Sequence, residues 1–136
     1  MKATAGEIET KVYNLIVDYG LQIGGQIYKE GVRPLDSKSE DAVITFVTGT
    51  DAQIQSGIVA VNVYVPDINN GQGKGVKVKN ISRCNEVEIM LKNFASSISI
   101  SDEYKFEPDR IIKSYKESEI EQHFVNLRLK FKKSTY

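Results

Sequence analysis

The sequence has very little of what most chemistry needs. One cysteine, Cys84, and one histidine, His123, stand among 136 residues. A lone cysteine forms no internal disulfide, so a reducing compartment fits. With no second histidine and one distant cysteine, a structural zinc site lacks soft ligands, and neither a metal nor another cofactor is expected. Long apolar runs are missing as well. No stretch approaches the roughly 18–20 residues of a membrane span, and the opening MKATAGEIETKVYN has no uninterrupted apolar core for a signal peptide. Synthesis in the cytosol and no membrane partner are the expectations. Net charge is missing too: 18 basic and 18 acidic residues cancel. That balance argues against a dedicated nucleic-acid binder or a polybasic membrane protein.

What remains is an ordinary globular composition, 40% apolar and 26% charged, in a length that suits one domain with a real core. The strongest element is Gly57 to Asp67, GIVAVNVYVPD. Val59, Val61, Val63 and Val65 fall on one face of a strand, and Ile58, Ala60, Asn62 and Tyr64 on the other. Pro66 and Asp67 end it. The second cleanest alternation is Glu121 to Lys133, with Val125, Leu127, Leu129 and Phe131 opposed to Asn126, Arg128, Lys130 and Lys132.

Two helices complete the pattern. Thr4 and Glu7 form a capping box that starts one near residue 5, Ile8, Val12, Leu15, Ile16 and Tyr19 recur at helical spacing, and Gly20 stops it. The other starts at Asn80 or Ser82 and places Cys84, Val87, Leu91, Phe94 and Ile98 on one stripe. A short apolar piece, Gln26-Ile27-Tyr28, follows the Gly24-Gly25 break. Ala42 to Thr48 reads as a strand covered on both sides, joined through Gly49-Thr-Asp51 to the valine strand as a hairpin. Ser96 to Asp102 alternates weakly and ends in a polar turn. Arg110 to Tyr115, after a turn at Pro108-Asp109, pairs with the last strand as a second hairpin. The expected class is α+β: a mixed or antiparallel sheet of about four or five strands built from two hairpins, with two amphipathic helices mainly on one face.

Two polar stretches lack core periodicity, Gly31 to Asp41 and the Gly-rich Asp67 to Asn80. In the second, Gly71, Gly73 and Gly75 miss the spacing of a dinucleotide fingerprint, and Lys74 is followed by Gly75 instead of the Ser or Thr of a P-loop. Both stretches read as solvated loops, the second flexible, and loops are where recognition concentrates. The contact candidates are Asp36, Lys38, Glu40 and Asp41 in the first, and Asn69, Asn70, Lys74 and Lys77 in the second. The carboxylates sit among lysines in loops, where solvation is the default, so no acid–base pair stands out. Cys84 on an apolar stripe reads as a small buried hydrophobe. A Cys84–His123 nucleophilic pair stays open on residue type, with no activating motif around it. The basic face of Arg128, Lys130 and Lys132 lacks the interleaved aromatics of a single-strand stacking platform for nucleic acid, and acidic residues balance it overall, so it reads as a solvated face.

Several stretches resemble small proteins of tailed bacteriophages and prophages. They are Gly25-Gln-Ile-Tyr-Lys29 with Arg33-Pro34, Ser39-Glu40-Asp41-Ala-Val-Ile44, the valine strand, and the closing Asn126-Leu-Arg-Leu-Lys-Phe131. With the order helix, short strand, loop, two long strands, loop, helix, two strands, the chain resembles the tail-completion or tail-terminator family, the head–tail joining proteins of the virion. The resemblance covers most of the chain and implies structural work without catalysis. It implies a homo-oligomeric ring, typically a hexamer, made in the bacterial host cytoplasm, capping the tail-tube protein and meeting the head connector. A ring needs two unlike patches on each subunit. Residues 1–68 carry 9 acidic against 5 basic groups (−4) and residues 69–136 carry 9 against 13 (+4), a polarity suited to such a contact. The alternatives are a small binding module for nucleic acid or a protein partner, using the basic residues Lys74–Lys79 and the C-terminal basic face, or another head–tail connector component, with a small enzyme the third class.

Overall fold

The computed structural model describes residues 2–70 and 75–134. Two long strands dominate it, β3 (Ile54–Pro66) and β9 (Gln122–Ser134). They run antiparallel and stay in register from Ile54↔Ser134 to Pro66↔Gln122. On one face Val59 opposes Leu129, Val61 opposes Leu127 and Val63 opposes Val125, all without solvent exposure. Each fully buried valine or leucine contributes about 1.5–3 kcal/mol, so this seam is the energetic centre.

Around the pair the other elements fall into place. β2 (Ala42–Gly49) lies antiparallel to β3, and β1 (Ile27–Lys29) lies parallel to β2 at the edge. On the far side of β9, β7 (Tyr104–Pro108) and β8 (Lys113–Lys116) lie end to end. β7 pairs with residues 129–133 and β8 with residues 123–126. β6 (Ile100–Ser101) adds to β7. The main sheet therefore has seven strands in the order β1-β2-β3-β9-β7-β6, with β8 beside β7 on β9. A separate two-stranded ribbon joins β4 (Ile68–Asn69) to β5 (Lys77–Val78).

Helices α1 (Ala5–Tyr19) and α2 (Ile81–Ser97) cover the valine face. Thr4 accepts from the Glu7 amide, and Glu7 Oε1 accepts from the Thr4 amide at 3.0 Å, closing the capping box. Gly20 ends α1 in the left-handed conformation at φ 75°. Asn80 caps α2 through the Arg83 amide at 3.1 Å. Tyr19 and Phe94 meet edge to face at 5.4 Å, which links the two helices. The Ala3 backbone gives and takes one hydrogen bond each with the buried Gln55 amide, at 2.8 and 3.0 Å, fastening the start of α1 to β3.

Three expectations change. The sheet has seven strands and a ribbon where about four or five strands were expected, because β6 and β7, which the sequence did not suggest, are only two and five residues long. Elements so short show too few positions for a period to register. β2 is covered on both sides only at its start, where Ala42, Val43 and Ile44 are all buried. Further on the strand opens: the register shifts between Phe46 and Thr48, and Val47 turns outward, 45% exposed. The Gly-rich stretch is not wholly without structure, since Ile68 pairs with Val78 and Asn69 with Lys77. Gly71, Gly73 and Lys74 lie outside the described residues.

The close approach of β2, β3 and β9 at Gly57 yields a test. A Cβ there would stand 2.1 Å from the Thr48 carbonyl oxygen and 2.9 Å from Phe131 Cε1. Gly57→Ala should destabilise the fold by about 1–3 kcal/mol in urea unfolding, with an unchanged m-value.

Candidate functional site

Polar side chains gather where β3 ends and β9 begins. Pro66 opposes Gln122 and Val65 opposes His123, and the preceding loop, residues 30–41, folds over this end. Arg33 holds the loop. Its Nε donates to Asp41 Oδ2 at 2.9 Å, and its Nη2 donates to the carbonyls of Ser37 and Ser39 and to Gln122 Oε1 at 3.1 Å. Its guanidinium lies 4.0 Å above the Tyr64 ring. A planar fork with five donors is what such a site demands, and a lysine would satisfy only part of it.

Asp41 is the buried partner, 1% exposed. It also accepts from the Gln26 amide at 2.8 Å and the Ser37 hydroxyl at 2.6 Å. Burial by itself pushes this carboxyl up. The bonds from Ser37, Gln26 and Arg33 outweigh that and hold it below the usual carboxylate range. Gly25 belongs to the same fit, because a Cβ there would stand 2.1 Å from Asp41 Oδ1. Beside it, Glu40 receives two bonds from Arg83, Nε at 2.9 Å and Nη2 at 2.6 Å, and Arg83 also donates to the Gln22 carbonyl. The loop is thereby tied to α2 and to the end of α1.

A second buried acid sits one step further along. Asp67 takes His123 Nδ1 at 2.7 Å and Lys116 Nζ at 3.4 Å, with its side chain 3% exposed. It was expected only as a turn residue. Its amide donates to the Glu121 carbonyl at 2.9 Å, so the chain leaves β3 already bound to the approach of β9.

The contact candidates therefore divide. Asp36, Lys38 and Lys77 come together around a cleft of about 540 Å³ that also includes Pro66, Asp67 and Gln122. Asn69 is exposed on the ribbon and Asn70 half-buried beside it. Glu40 and Asp41 were expected in a solvated loop; they are internal ion-pair partners, because each faces an arginine. Asp41 does not itself reach the surface. Arg33, Ser37, Gln122 and Asp67 carry the site's architecture and were not among the candidates. Gln122 falls on the same face of β9 as Asn126 and Arg128, so the alternation left no trace of it either.

A small part of the charge split between chain halves is met inside the fold, by Arg83–Glu40 and Lys116–Asp67. Lys11–Asp102 also joins one half to the other. The uncovered sheet face also differs from expectation. Tyr64, Phe124 and Tyr115 form a cross-strand aromatic ladder at 5.7 and 5.5 Å, beside the basic positions of β9. Phe124 belongs to β9 itself, and Tyr64 of β3 and Tyr115 of β8 flank it on either side. Their faces are already engaged, by one another, by Arg33 on Tyr64, and by Lys113 on Tyr115 at 5.1 Å. Asp109 lies 3.4 Å from Arg128, and Glu107 opposes Lys130.

Cys84 is fully buried on α2, and burial pushes its thiol up, away from the thiolate a nucleophile needs. His123 donates to or accepts from Asp67, not Cys84. Among the described residues no group of three or more His, Cys, Asp or Glu side chains is placed to hold a metal, and no helix is long and apolar enough to cross a membrane. No family model and no curated protein matches the sequence.

Two outcomes follow from this geometry. The folded-state pKa of Asp41 lies below its unfolded value, so its stabilisation is present above about pH 4 and is lost as pH falls through the folded pKa. Asp41→Asn should cost about 3 kcal/mol at neutral pH and flatten the acid limb of a stability–pH curve, measured by urea unfolding from pH 7 to pH 3. In addition, His123→Ala should leave the rate of Cys84 labelling by a disulfide reagent unchanged in the folded protein. Slowed labelling would revive a thiol–imidazole pair.

Proposed function

We propose that this protein is a structural component of a tailed-phage or prophage virion, a tail-completion or tail-terminator subunit. In this reading it assembles as a ring on the end of the tail tube, presents a surface to the head connector, and performs no catalysis. The sequence resemblance suggests the reading, and one structural observation carries it further. The chain leaves its most stable strand at Pro66 and enters a ribbon whose apolar side chains Ile68, Val76 and Val78 are 46, 53 and 40% exposed. A two-stranded ribbon on its own is marginal in water. Such an arm suits a subunit that completes its burial against a neighbour.

The remaining features agree with this role. The helices and the valine seam form a closed core, while the loop 30–41, the ribbon and the 117–121 turn gather at one pole. Structural ring proteins need a rigid body and a contact pole more than a pocket. Nucleic acid recognition through the sheet face is less well supported, since the aromatic ladder has its ring faces engaged and acids stand beside two of the cations.

The test is assembly. Purified protein should form rings visible by negative-stain microscopy, alone at high concentration or on isolated tail tubes, and should co-sediment with those tubes. A protein that neither forms rings nor joins tails at any concentration would overturn the proposal.

A further inference from the structure

The ribbon needs an acceptor, and the fold contains one that suits it. Ile68 stands opposite Val78, and Val76 lies two residues from Val78 on the same side, so the three make one apolar face. Lys77 alternates to the other face, opposite Asn69, and makes no ion pair among the described residues. Lys79 follows immediately. The ribbon is therefore apolar on one face and carries Lys77 on the other, with Lys79 at its exit.

Across the 117–121 turn lies a groove of about 490 Å³. Leu35 overhangs it at 96% exposure, with Val43, Tyr64 and Ile120 lining it. Glu30, Glu117 and Glu119 bring three negative charges to the same groove. Among the described residues the one cation lining it, Arg33, is already committed to Asp41 and to the Tyr64 ring. A groove that combines three carboxylates with the side chains of Leu35, Tyr64 and Ile120 matches, in chemistry and sign, a ribbon with one apolar face and a lysine on the other.

Within one chain the two are kept apart. Glu119 and Ile120 line both this groove and the cleft beside Lys77, so the turn that carries them stands between ribbon and groove. A ribbon arriving from solvent meets no such barrier. Resting on the reading of a self-assembling subunit, we infer that the β4–β5 ribbon of one copy docks in the Leu35–Glu117–Glu119 groove of a second copy. Ribbon and groove are different patches, so the contact is head-to-tail. Repeated by rotation it closes a ring, and reciprocated it gives a pair.

Charge reversal tests the contact in the full chain, using exposed or half-exposed positions that leave the core alone. Sedimentation velocity over a concentration series should show wild-type self-association that weakens as salt is raised. Lys77→Glu alone, and Glu117→Lys with Glu119→Lys, should each weaken it by at least about tenfold, because like charges then face each other. Mixing the two reversed proteins should restore association, since every ribbon again meets a groove of opposite sign. Leu35→Ser should weaken association without changing the thermal midpoint. Wild-type association that survives all of these substitutions would overturn the ribbon-in-groove contact and leave the ring proposal standing. A strictly monomeric wild type would overturn the contact as well, and the tail-binding experiment would then decide the ring proposal separately.

Discussion

The register between β3 and β9 is the constraint on which everything else depends. Side chains alternate with a period of two, so a slip of one residue would turn Val59, Val61, Val63 and Val65 away from the helices and expose the whole apolar set. The in-register pairs from Ile54↔Ser134 to Pro66↔Gln122 make any such slip prohibitive. Because the register is fixed, Pro66 and Gln122 must end together. That shared end is where the loop 30–41 finds its anchor and where the ribbon departs.

The polar cluster at that end follows a simple rule: an acid taken out of water must have its oxygens bonded. Asp41 collects Arg33, Ser37 and the Gln26 amide, while Asp67 collects His123 and Lys116. Among the described residues no buried side-chain nitrogen or oxygen lacks a partner. The loop is thereby a rigid wall of the groove beside it, and Leu35 is presented outward because its neighbours are held inward.

What was legible in the sequence was whatever repeats. The valine strand, the last strand and both helices show four or more apolar positions in phase, and the caps at Thr4, Gly20 and Asn80 rest on local hydrogen bonds. What was hidden was short or non-local. Tyr104 and Phe106 do alternate inward, but β7 is five residues long and closes with Pro108. The bulge at Val47 shifted the phase of β2 and disguised where its outer face becomes exposed. Arg33 and Gln122 meet at 3.1 Å across 89 residues of sequence, and no local pattern encodes that. Asp41 looked like one acid among many, and only tertiary contacts distinguish it from Asp36. The candidate site was accordingly half legible: its exposed members carry loop signatures, and its buried framework carries none.

The antiparallel run of the two long strands also has a mechanical meaning. Pro66 lies at one end of the molecule and Ser134 at the other, separated by about 40 Å at roughly 3.3 Å per residue. A load applied between the ribbon and the far end of β9 draws the two strands past each other along their length. Every hydrogen bond between them then bears force at once, in shear, instead of opening one after another as in an unzipping hairpin. A subunit held by its ribbon at one end and its sheet at the other would resist extension with its whole central ladder.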